Sequence, residues 1–73
     1  MNPPLYSMKI EWSDRDQAFI VTLPEWAEQA GLIGHTHGDT YVEAVKNGEE
    51  LLALLIESRL ADGKPLPQPR VFA

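Results

Sequence analysis

Along the chain the rhythm of polar and apolar positions changes twice, and each change predicts an element. From Tyr6 to Trp12 the two kinds alternate, with Tyr6, Met8, Ile10 and Trp12 on one side and Ser7, Lys9 and Glu11 on the other. A period of two is that of a half-buried strand. SDRDQ, residues 13–17, breaks the pattern with Ser and Asp side chains that hydrogen-bond their own backbone in turns. Alternation then resumes, with Phe19, Val21 and Leu23 facing one way and Ile20 and Thr22 the other. The short separation predicts an antiparallel hairpin. Pro24 has no N–H to give to a ladder and should close the second strand. EWAEQAGL, residues 25–32, fits a single helical turn or a loop, ended by Gly31. LIGHTHG, residues 32–38, predicts a short third strand weakened by Gly34.

After Gly38 the period becomes helical. Gly38 is expected to supply an unusual backbone angle, and Asp39 or Thr40 to cap the helix. With Thr40 as the cap, Glu43 lies three residues on and completes a capping box; with Asp39, Val42 takes that place and no box forms. Tyr41, Ala44, Val45, Gly48, Leu52, Leu55 and Ile56, with Leu51 at the edge, form one stripe. Glu43, Lys46, Asn47, Glu50 and Glu57 fall on the other side. Gly48 costs about 1 kcal/mol relative to Ala in a helix, so its place in the stripe predicts a close approach to the sheet. The helix should stop near Ala61 or Asp62, before Gly63 and the prolines at 65, 67 and 69. Arg70 to Phe72 would add a brief fourth strand at a sheet edge. The predicted fold is α+β: a three-stranded antiparallel sheet with one long helix packed on a face, in a single domain over 1–73 with extended tails at 1–4 and 64–73.

Composition narrows what such a domain can do. Seventy-three residues make a core worth only roughly 3–5 kcal/mol, so a partner or a second copy covering apolar surface would help it. The net charge of −5 argues against direct nucleic-acid binding, which needs clustered Lys and Arg, and suits a basic protein partner. No cysteine is present, which removes disulfides, thiolate metal sites and a Cys nucleophile. The first residues lack the pattern of a signal peptide, and the longest apolar run, LLALLI, is six residues, so a soluble cytoplasmic protein off the membrane is expected.

Candidate chemistry is sparse. His35 and His37 share a face of the presumed strand and, with Asp39 nearby, have the chemistry of a divalent-metal site, but no third His or Cys exists to complete it. Glu11, Asp14 and Asp16 cluster on one turn, whereas a two-metal nuclease gathers carboxylates from several elements. No GxSxG elbow or phosphate-binding glycine loop occurs. The expectation is therefore no catalytic residue, no metal and no cofactor. Candidate contact residues for a partner or a second copy are Ile20 and Leu54 among the apolar positions, Trp26 as an aromatic anchor, Glu25 beside it, His35, His37, and the acidic helix residues Glu43 and Glu50.

Three ordered motifs carry a resemblance: IEWSDRDQAFIVTLPE (10–25), HGDTYVEAVKNGEELLALLIE (37–57) and DGKPLPQP (62–69). Trp12, Ser13, Asp16, Phe19, Pro24, Glu25, the Gly38-Asp39-Thr40 helix start, Glu43, Ala44, Gly63, Pro65 and Pro67 stand where the HicB-like antitoxin family has its pattern. The chain resembles that family from about Tyr6 to Pro69. The resemblance implies a partial RNase H-like β-β-β-α-β fold. It also implies an antitoxin of a type II toxin–antitoxin system that binds and occludes a small basic ribonuclease toxin of the HicA type; separately, sheet edges and exposed apolar residues lead to the expectation of a homodimer or tetramer. A C-terminal DNA-binding part, present in many members, is not expected. WAEQAGLIG departs from the family pattern, which has a shorter Leu-Pro-Gly-Cys-like segment after Pro-Glu. The rival readings are a self-assembling structural or regulatory module without a toxin, and a degenerate metal-dependent nuclease.

Overall fold

A computed structural model describes residues 6–31 and 35–70. Strands β1 (Lys9–Ser13) and β2 (Ala18–Thr22) form the expected hairpin, with Trp12 opposite Phe19 and Ile10 opposite Val21. The turn between them uses the predicted chemistry. The Ser13 hydroxyl accepts the Asp16 N–H at 3.2 Å, and the Gln17 side-chain amide donates to the Asp14 carbonyl at 2.7 Å. That second bond steadies Gln17 at φ 52°, a left-handed conformation that a side chain disfavours.

Pro24 ends the strand by starting a helix. Its fixed φ suits the first helical position, so α1 (Pro24–Ala30) follows β2 after the single residue Leu23 and runs for two turns. The expected alternative, a single turn or a loop, is too short. Gly31 caps α1 in the left-handed region at φ 66°, its N–H reaching the Trp26 carbonyl. The third strand, β3 (Thr36–Gly38), leaves out His35, which the expected strand over 32–38 included, and adds antiparallel to β2, giving sheet order β1-β2-β3. Residues 32–34 and the predicted strand at 70–72, beyond Arg70, lie outside the described residues; Arg70 itself is not in a strand.

Helix α2 (Tyr41–Ala61) begins at Thr40, whose Oγ1 accepts the Glu43 N–H at 3.1 Å. It ends as predicted. Gly63 at φ 67° turns the chain so that its N–H and that of Lys64 reach the Leu60 and Arg59 carbonyls, the Schellman arrangement. The helix lies across the sheet face that carries Val21. Leu23, Trp26 and Leu52 form the core cluster, with Tyr6, Met8, Ala30, Leu51, Leu55 and Ile56 packed around it.

Two glycines set the spacing between layers. A Cβ on Gly48 would stand 2.9 Å from Met8 Sδ and 3.1 Å from Val21 Cγ1, which is the close approach expected. Gly38 corrects the expectation made for it, because its φ is not in the left-handed region. A Cβ there would meet the Ala44 backbone nitrogen at 2.4 Å, so glycine is needed for packing against the first turn of α2. The predicted buried stripe also runs too far toward the N-terminus. Ala44, Gly48 and Leu52 are buried, but Tyr41 is 63% exposed and Val45 is exposed as well.

Candidate functional site

Glu25 and Trp26, expected at a partner interface, are fully buried, at 0% and 1% exposure. Because α1 starts at Pro24, positions 25 and 26 turn inward beneath the extended segments at both ends of the described chain. The Glu25 carboxylate accepts the Ser7 N–H on both oxygens, at 3.1 and 3.0 Å, and the Arg70 N–H on Oε2 at 3.0 Å. Burial pushes its pKa up, but the N–H groups of Arg70 and Ser7, with the residue's own amide, outweigh it and hold the carboxyl below the ordinary glutamate value. The Tyr6 ring packs on Trp26 at 5.4 Å, and burial, with the Glu25 charge second, raises the phenol pKa.

The segment 64–70 is thereby strapped over α1. Tyr6 donates its hydroxyl to the Pro67 carbonyl at 2.7 Å. Gln29 makes a reciprocal pair with the Gln68 backbone, donating at 2.8 Å and accepting at 2.7 Å, and Arg70 pairs with Glu28. Trp26 lines a cleft of about 200 Å³ between α1 and the end of α2. Its indole N–H has no hydrogen-bond partner among the described residues.

Ile20, His35 and His37 do come together, on the sheet face away from α2. Ile20 stands between Glu11 and His37 in the ladder, and Ile20, His37, Asp16, Ala18 and His35 line a shallow depression of about 310 Å³. Among the described residues, no three His, Asp or Glu side chains gather closely enough to hold a metal ion. Asp14 and Asp16 serve the hairpin turn, Asp14 taking the Trp12 indole N–H at 2.7 Å and Asp16 the Ser13 hydroxyl at 3.2 Å.

Glu43, Glu50 and Leu54 lie on the outer side of α2, all exposed, Leu54 by 64%. Glu43, Glu50 and Glu57 are seven residues apart, so they form one acidic line with Leu54 beside it. The structure thus separates the expected contact residues into an open-sheet group, an outer-helix group and a buried pair.

One surface was missed. Trp12, Phe19 and Tyr41 form a continuous run of rings from β1 across β2 to the first turn of α2. Trp12 meets Phe19 edge-on at 5.1 Å, and Phe19 meets Tyr41 at 4.2 Å and 31°. Trp12 is 49% exposed. The available signal was symmetry about the turn: residues 12 and 19 flank SDRDQ so as to face each other across the hairpin. Tyr41 was hidden by its place in the helical stripe.

No protein-family model, curated protein or solved structure matches the chain. Among the described residues no helix is long and apolar enough to cross a membrane.

Proposed function

We propose that the chain is a cytoplasmic antitoxin-like protein that binds and occludes a small basic, mRNA-cleaving toxin of the HicA type, without catalysis of its own. The partial RNase H-like character of the fold belongs to the same proposal. The observation that carries it is the distribution of charge. The hairpin and the start of α2, residues 9–18 and 39–50, hold seven carboxylates against three cations, which is −4 of the net −5. Such a field steers a basic partner toward one end of the molecule and speeds encounter. Glu43 and Glu50 lie within that region, and Leu54 adds apolar surface next to it.

The test is co-expression with the product of a neighbouring small basic reading frame, followed by affinity capture and an RNA-cleavage assay. Stoichiometric capture with loss of cleavage is expected. Capture without inhibition, or no capture, removes the antitoxin reading.

The self-assembling module has its own support. Among the described residues β1 and β3 are the two edges of the sheet, and an unpaired edge presents N–H and C=O groups that a second copy can extend. Light scattering on the pure protein checks it, a monomer at micromolar concentration counting against it.

A further inference from the structure

We propose that the aromatic run Trp12–Phe19–Tyr41 docks an arginine-bearing segment of a basic polypeptide. Three rings held in contact with one another leave two of their members about half exposed or more, which no internal packing requires. Val45 lies one turn beyond Tyr41 on the same side of α2, and Glu49 one turn beyond that, so the apolar strip ends in a carboxylate. At its other end the Asp14 carboxylate holds the Trp12 indole by its N–H at 2.7 Å. That bond fixes the ring and sets a negative charge at its edge.

The chemistry selects a cation with a flat apolar face. Aromatic faces are the negative part of the ring quadrupole, and a guanidinium stacks on them while reaching a carboxylate with its N–H fork. An ammonium is also drawn to a ring face, but it has no flat face to stack and no fork for a carboxylate. Nucleobases also stack on exposed rings, but their phosphates need cations nearby. Lys9, Arg15 and Lys46 lie in the hairpin and the start of α2 that carry the rings, but seven carboxylates outnumber them there. Arg59, Lys64 and Arg70 belong to the other end of α2 and the strap, with Arg59 roughly 27 Å along the helix from Tyr41. The ring surface therefore fits a basic polypeptide and not a nucleic acid. The partner's basic charge rests on the antitoxin reading; the surface itself rests on the rings.

The experiment titrates the whole chain with nona-arginine and nona-lysine peptides by calorimetry and by fluorescence. The wild type should bind nona-arginine about tenfold more tightly than nona-lysine, the gain of a stacked, forked guanidinium over a point charge. Trp12→Ser with Tyr41→Ser should abolish that preference, and Leu60→Ser, at an exposed apolar position elsewhere on α2, should keep it. If the double Ser variant does not fold, Trp12→Leu with Tyr41→Leu retains apolar bulk, removes the ring faces, and should also lose the preference. A folded ring-less variant that prefers nona-arginine as strongly as the wild type overturns the proposal. So does a U-rich single-stranded RNA that binds the wild type more tightly than either peptide and is lost in the variant. The toxin assay separates the two ideas. A ring-less variant that inhibits the toxin fully sinks this surface alone, whereas arginine-selective binding with no toxin inhibition sinks the antitoxin reading alone.

Discussion

Glu25 shows how one residue can look functional and be structural. A carboxylate beside a tryptophan in a short irregular segment has the composition of a contact surface, yet it is buried because it terminates backbone N–H groups from both ends of the described chain. A glutamine in its place keeps the shape but turns an NH₂ toward those donors. Glu25→Gln should cost about 2 kcal/mol at pH 7, the scale of a hydrogen bond to a charged group with its partner left unsatisfied. The pH dependence has a definite sign. The folded carboxyl has a lowered pKa, so its stabilisation is present above the unfolded glutamate value, about 4.3, and is lost as pH falls through the folded value. Urea midpoints measured from pH 7 down to pH 3 should fall more steeply for the wild type than for Glu25→Gln. Parallel slopes would remove Glu25 from the account of acid stability.

The elements were legible where a period was long enough to read. Both hairpin strands follow from alternation, and α2 follows from its stripe, its Thr40 cap and the Gly63 stop. α1 was not legible as a helix, since seven residues with one large buried apolar side chain carry almost no periodicity. The two glycines at the sheet–helix contact differ in kind, and that difference is testable. At Gly38 an added methyl strikes helix backbone, which cannot move without displacing the first turn of α2. At Gly48 it strikes the flexible Met8 thioether and one Val21 methyl, while the helix gains about 1 kcal/mol in propensity. Gly38→Ala should therefore leave little folded protein, whereas Gly48→Ala should lose at most about 2 kcal/mol, the overpacking cost less that gain. Met8→Ala should absorb most of the Gly48→Ala loss in a double-mutant cycle. Additive effects of the pair would place the clash elsewhere.

At the scale of the molecule, the sheet–helix layers are closed by the strap 64–70, joined to residues up to 61 positions away. No local pattern announces such pairings, which is why the candidate contact residues were only partly legible. Ile20 and His37 share a face because the strand register fixes it, and His35, just before β3, lines the same depression, but Glu25 and Trp26 are buried by tertiary contacts. What the sequence does encode is the strap's stiffness. From Lys64 to Pro69 every residue is either a proline or precedes one, and both conditions exclude helical backbone and favour an extended chain. This matters because ordering a flexible residue costs about 1–2 kcal/mol, enough for a strap of this length to cancel hydrogen bonds worth about 1 kcal/mol each. The prolines reduce that cost before folding begins. Pro65 and Pro69 are exposed, so replacing both with Ala spares the buried Pro67 and every hydrogen bond of the strap. The double variant should lose about 1–2 kcal/mol, at roughly 0.4–1 per proline, almost wholly through the unfolded and detached states. Amide exchange at Ser7 and Gln68, whose N–H groups are tied to Glu25 and Gln29, should accelerate about tenfold relative to Val21 in the central strand. Equal acceleration at all three positions would mean that the strap does not open on its own, and that its prolines act only on global unfolding.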